Sequence, residues 1–119
     1  EIKLRNNIAK KYHDALNNKR FRLPINPTGF KSTWAQYSIL AESNRDRENI
    51  MKKLKSNGVP SIIYYEKPLH LQTAFRDLKY TEGDFPVSED ICNRVFSIPM
   101  SPYLSDEHFD KIVNTLSSI

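Results

Sequence analysis

The 119 residues contain a single cysteine, Cys92, so no internal disulfide can form, and a reducing cytoplasm is the expected compartment. Glycine is almost as scarce. Gly29, Gly58 and Gly83 stand far apart, so no glycine-rich loop exists to cradle a phosphate and no serine sits in a glycine-flanked elbow. His13, His70 and His108 are equally dispersed, without Cys-x-x-Cys or His-x-x-x-His spacing, and no metal is expected. No apolar run approaches the roughly 18 residues of a membrane span. The start, Glu1-Ile2-Lys3-Leu4-Arg5, is charged, lacks an initiator methionine and does not resemble a signal peptide. It reads as a start inside a longer protein. The hydrophobic share, 39%, is modest for a self-sufficient globule of one domain and hints at a borrowed partner surface.

The net charge of +4 is unevenly spread. Residues 1–31 hold eight of the 18 lysines and arginines against only Glu1 and Asp14, while residues 32–119 are net acidic. A basic lead segment can bind a polyanion. It can equally be the wet face of a helix, and only Tyr12 and Phe21 interleave it as stacking aromatics, so no nucleic-acid partner is expected.

Ile8, Tyr12 and Leu16 recur at four-residue spacing, with Leu4 and Ala9 alongside, which predicts a helix over 2–17. No N-cap precedes it. Asn17-Asn18, Pro24 and Pro27-Thr28-Gly29 mark a loop with a turn. Thr33 to Ala41 alternates as a strand. Ser43 offers an N-cap, with Asp46 completing a capping-box pattern, for a helix to Asn57 with Ile50, Met51 and Leu54 inward; Gly58 stops it. Val59 to Tyr65 reads as a second strand, covered on both faces because Ile62 and Ile63 point oppositely. A short helix over 71–78 would turn Ala74 and Phe75 inward. After a loop over 80–85, Pro86 opens a helix with Val87, Ile91, Cys92 and Val95 on one side and Glu89 and Asp90 near its start. Val95 to Ile98 is a third strand, stopped by Pro99 and Pro102. Ser105 caps a last helix with Phe109, Ile112, Val113 and Leu116 inward. Helices mixed with about three strands predict an α/β (α+β) fold, a small two-layer sandwich.

Tyr64 to Gln72, the run Tyr-Tyr-Glu-Lys-Pro-Leu-His-Leu-Gln, is the candidate site. An apolar run delivers two phenols, a proline and a histidine to a loop on a rigid element, where binding groups tend to lie. Cys92 falls in an apolar helical stripe and reads as core. A Schiff-base lysine needs a desolvated pocket, and the lysines here fall on polar faces or loops, with only Lys67 beside the site. These residues can bind a ligand but make no complete catalytic set.

The run Gly58-Val59-Pro60-Ser61-Ile62-Ile63-Tyr64-Tyr65-Glu66-Lys67-Pro68-Leu69-His70-Leu71-Gln72 resembles the strand-and-loop signature of the DegT/DnrJ/EryC1/StrS nucleotide-sugar aminotransferases. Three further blocks agree in order. They are Arg5 to Tyr12, Trp34 to Ile39 with Arg45-Asp46, and Gly83 to Glu89 with Phe96 to Tyr103. Tyr64 stands where histidine is commoner and Glu66 where proline is commoner; Tyr65, His70 and Gln72 match. The resemblance implies that residues 1–119 are a single C-terminal small domain of a fold-type I aminotransferase. Residues 1–17 would be the end of its long interdomain helix, and the large cofactor-binding domain would be absent. It implies pyridoxal phosphate as cofactor, held mainly by that large domain, and an active site at a homodimer interface. It implies transfer of an amino group, from glutamate, to a nucleotide-linked keto-sugar, with Tyr64, Tyr65, His70 and Gln72 facing the substrate and none of these residues catalytic. The domain alone would be inactive. A non-catalytic interaction or dimerisation domain is the alternative, beside the basic nucleic-acid module.

Overall fold

The structure, a computed structural model, describes residues 1–17 and 20–119. Its elements are helix α1 (Ile2–Leu16), strand β1 (Tyr37–Leu40), helix α2 (Asn44–Ser56), two 3-10 turns (Leu69–Leu71 and Thr73–Leu78), helix α3 (Pro86–Arg94), strand β2 (Val95–Ile98) and helix α4 (Asp106–Ser117). The loop expected at Asn17-Asn18 falls partly outside the described residues, because Asn18 does; the turn after Pro27 is present, closed by Phe30 N–H on the Pro27 carbonyl at 3.1 Å.

β1 and β2 pair antiparallel, Tyr37 opposite Ile98 and Ile39 opposite Phe96. Those four side chains share one face and are buried. The opposite face carries Ser38 against Ser97, their hydroxyls 2.8 Å apart. Helices cover the apolar face, with α4 packed on α1 and α2, and α3 on α2. The core joins Ile8, Tyr12 and Leu16 of α1, Ile50 and Leu54 of α2, and Phe109, Ile112 and Leu116 of α4 to those strand residues. Tyr12 is its centre: wholly buried, its ring centroid lies 5.0 Å from that of Tyr37 and 4.9 Å from that of Phe109. Its hydroxyl donates to the Pro99 carbonyl at 2.8 Å, which satisfies a phenol that burial would otherwise penalise. Burial pushes the Tyr12 and Tyr37 phenols up, that of Tyr37 to about 12.

The caps explain the helix limits. Ser43 accepts from Asp46 N–H at 3.1 Å, as expected, but the Asp46 carboxylate returns to the Ser43 hydroxyl at 2.6 Å rather than to its backbone. Gly58 takes φ +68°, the left-handed value that ends α2 without a Cβ penalty. Ser105 accepts from His108 N–H at 3.3 Å.

The sheet among the described residues has two strands, not about three. The expected strand over 59–65 shrinks to one bridge, Ile62 to Ser97, with Ile62 itself 47% exposed. Pro60 has no N–H to continue the ladder. The strand expected over 33–41 begins only at Tyr37. Trp34 sits at φ +49°, a break in any extended run, pinned to α1 by its indole N–H on the Asn6 side chain at 3.1 Å and by the Arg5 guanidinium on its carbonyl at 3.3 Å. The helix expected over 71–78 is two 3-10 turns, interrupted at Gln72, whose ψ of 144° is extended. Ala74 and Phe75 are exposed rather than inward, as are Val87 and Ile91 of α3 and Leu4 of α1; Cys92 is buried as expected.

Truncating Phe96, 1% exposed, removes contacts in the middle of this core. Phe96→Ala is expected to cost about 3–5 kcal/mol in denaturant unfolding of this chain, whereas Leu4→Ala costs at most about 0.5 kcal/mol. Equal costs would mean that the core lies elsewhere.

Candidate functional site

The expected site residues are delivered by an irregular segment held at several points. At its start, Ile62 N–H donates to the Ser97 carbonyl at 3.1 Å, and Ser97 N–H to that of Ile62 at 2.7 Å. The chain then leaves the sheet. Tyr64 and Tyr65 are 52% and 63% exposed, and neither phenol has a partner among the described residues. Pro68 is buried. The Gln72 amide donates to the Lys67 carbonyl at 3.3 Å, closing the turn on itself.

His70 is placed differently from the tyrosines. Its Nε2 lies 2.9 Å from Glu89 Oε1, and the two side chains are only 8% and 15% exposed. Its ring centroid is 4.7 Å from that of Phe85 and 6.4 Å from that of Tyr80, edge-on. The Glu89 carboxylate also accepts from Gly83 N–H at 2.9 Å and Phe85 N–H at 3.2 Å, reaching back across the start of α3 as a capping carboxylate does. Those bonds, Gly83's first, then Phe85's and His70's, hold the Glu89 carboxyl below its ordinary value of 4.5, outweighing desolvation, which opposes them. An ionised carboxylate only accepts, so Nε2 of His70 carries the proton.

The four expected residues therefore do not converge. Tyr64 borders a cavity of about 360 Å³ with Gln36, Ser61, Ser97 and Met100. His70 borders another, of about 310 Å³, with Phe75, Tyr80, Phe85 and Ser88. Tyr65 projects to solvent, and Gln72 is spent within its own turn. The residues that sequence reasoning missed are Glu89, as the partner of His70, and the ring pair Tyr80 and Phe85, 5.0 Å apart. Glu89 carried a signal, an acid in the first turn of a helix, but nothing near it in sequence pointed to His70.

The described residues do not fit a pyridoxal-phosphate site of their own. Every described lysine is exposed, with none in the desolvated setting that makes a reactive amine, and the three glycines build no phosphate cradle. Burial pushes the Cys92 thiol up against the opposing pull of Arg47, which disfavours a nucleophile. The basic lead segment is partly engaged internally: Lys10 pairs with Asp14, Lys11 pairs with Asp106 and lies over the Phe109 ring, and Arg5 holds Trp34. No described helix is long and apolar enough to cross a membrane.

The pattern of the DegT/DnrJ/EryC1/StrS aminotransferase family matches residues 1–117, and the chain belongs to that family. The UDP-2-acetamido-2-deoxy-3-oxo-D-glucuronate aminotransferase of Pseudomonas aeruginosa is 34% identical over 87% of this chain and 27% of its own length. A DegT DnrJ EryC1 StrS aminotransferase from Brucella abortus superposes with a TM-score of 0.88 at 42% identity, over 99% of this chain and 31% of that one. A candidate sugar aminotransferase from Streptococcus pneumoniae, in its PLP-form, does so at 0.86 and 26% identity, over 98% of this chain and 30% of that one. This chain thus shares the fold of aminotransferase domains and spans less than a third of the length of these relatives.

The depressed Glu89 carboxyl makes a pH prediction. The folded state holds the carboxylate more tightly than the unfolded state does. Its contribution is therefore complete above the ordinary carboxyl value of 4.5 and is lost as pH falls through the lower folded value. Asp90 and Asp106, lowered by Arg94 and Lys11, act in the same sense. Unfolding free energy measured from pH 6 to 2 is expected to fall less steeply in Glu89→Gln than in the parent. Parallel curves would show that Glu89 does not contribute.

Proposed function

We propose that this chain is the C-terminal small domain of a pyridoxal-phosphate-dependent aminotransferase, which transfers an amino group from glutamate to a nucleotide-linked keto-sugar. The observation that carries this reading is the family match along residues 1–117, in a chain whose described lysines are all exposed. The cofactor and its lysine then belong to the rest of a longer chain, and residues 1–119 alone are inactive. The cofactor supplies the electron sink, and the protein supplies orientation and exclusion of water. In this domain the orientation falls to the exposed phenols of Tyr64 and Tyr65. Each can donate to and accept from sugar hydroxyls and phosphate oxygens, while His70 and Gln72 belong to the turn that follows them. The protein works in the cytoplasm as a homodimer, whose second copy completes the site.

The test uses the full-length protein with pyridoxal phosphate, glutamate and UDP- and dTDP-linked keto-sugars. It is expected to release 2-oxoglutarate, while residues 1–119 alone release none. Release by residues 1–119 alone, or a full-length protein with no lysine carrying the cofactor, ends this reading. Within the full-length protein, Tyr65→Phe is expected to raise the KM for the sugar nucleotide about tenfold and to leave cofactor content unchanged. Loss of cofactor with KM unaltered would remove Tyr65 from the substrate side.

A further inference from the structure

We propose that Glu89 and His70 are positioning residues, a latch that fixes the Tyr64–Tyr65 stretch without either one touching the substrate. This rests on the reading of those tyrosines as sugar-nucleotide contacts. The stretch is suspended between two anchors. The upstream anchor is the pair of backbone bonds between Ile62 and Ser97, at 3.1 and 2.7 Å. The downstream anchor is His70 Nε2 on Glu89 Oε1, at 2.9 Å. Ser97 lies on β2 and Glu89 on α3, and α3 runs into β2 without a break from Pro86 to Ile98. One continuous piece of backbone therefore holds both ends of the strap, and the tyrosines hang between them with more than half their surface exposed.

The downstream anchor is built to hold. Glu89 is itself fixed by Gly83 N–H and Phe85 N–H, so its position does not depend on His70. The imidazole is bracketed by Phe85 and Tyr80 and is 8% exposed on its side chain. A carboxylate that binds one ring nitrogen sets the tautomer and orientation of the ring, as outer-shell carboxylates do for metal-bound histidines. Here the oriented object is the chain itself. His70 follows the buried Pro68 and the exposed Leu69, within the 3-10 turn that Gln72 closes on Lys67. Without the latch the strap keeps its upstream anchor, the buried Pro68 and local turn bonds, but loses the side-chain tie that fixes its downstream end to α3.

A double-mutant cycle in the full-length protein tests this. His70→Phe keeps the ring packing, and Glu89→Ala removes the acceptor, with Glu89→Leu in its place should the alanine variant fail to fold. Each single change is expected to raise the KM for the sugar nucleotide about tenfold, with kcat altered less than about twofold, and the double variant is expected to be no worse than the worse single. Additive effects, or an effect of His70→Phe without one of the Glu89 variant, overturn the proposal, because His70 would then act on the ligand by itself. Hydrogen exchange at residues 64–72 is a readout free of activity. It is expected to accelerate equally in both single variants, and unchanged exchange in either overturns the latch. A wild-type protein that aminates no keto-sugar nucleotide would sink the functional reading, while the exchange measurement still decides the latch.

Discussion

The fold depends on Tyr12. One side chain ties several elements together at once: it leaves α1, packs between Tyr37 of β1 and Phe109 of α4, and ends on the carbonyl of Pro99, just past β2. A two-stranded sheet is marginal alone, and this one gains its rigidity from helices locked across its apolar face. A hydrophobic side chain of similar size would fill the volume but leave the Pro99 carbonyl without that donor at the point where the chain leaves β2. The hydroxyl therefore fixes how α1 lies on the sheet as well as that it is buried.

That rigidity reaches the candidate site through β2. Ser97 faces away from the core, bonds Ser38 on the same face, and takes Ile62 as its backbone neighbour on the other edge. The site segment thus borrows order from a strand four residues long, and its own sequence supplies little more. Pro60 stops a ladder from forming, and the proline and 3-10 turns that follow hold shape by local bonds. An irregular segment of this kind can place phenols in solvent near a surface, which a regular strand with both faces covered cannot do.

Most of the helices were legible because their signals are local. Ser43 and Ser105 as caps, Gly58 as the stop of α2 and Pro86 as the start of α3 each act within a turn or so of chain. The strands were less so. Alternation along 33–41 is real, but a long-range contact, the Trp34 indole on Asn6 of α1, decides where extension begins. Of the candidate site, the exposure of the two phenols was legible and the setting of the histidine was not. Tyr64 and Tyr65 are exposed where a ligand can meet them. For His70 the residue type suggested a ligand contact, whereas its surroundings are a carboxylate nineteen residues away in sequence and two aromatic rings. No periodicity encodes such a partnership, since it arises from folding α3 back onto the turn.

The exposed apolar residues follow the same logic. Val87 and Ile91 share a stripe with Cys92, and the stripe correctly marks one side of α3 as apolar. Periodicity reports that a face avoids water; it does not report which body covers it. Within this chain only the Cys92 end of the stripe meets the core, while Leu69, Phe75, Leu78 and Phe85 add to the uncovered surface nearby. Scattered exposed apolar residues are ordinary, but these border one cavity beside the His70–Glu89 pair. The apolar interior closes around Tyr12, while this apolar cluster beside the His70–Glu89 pair stays open to solvent.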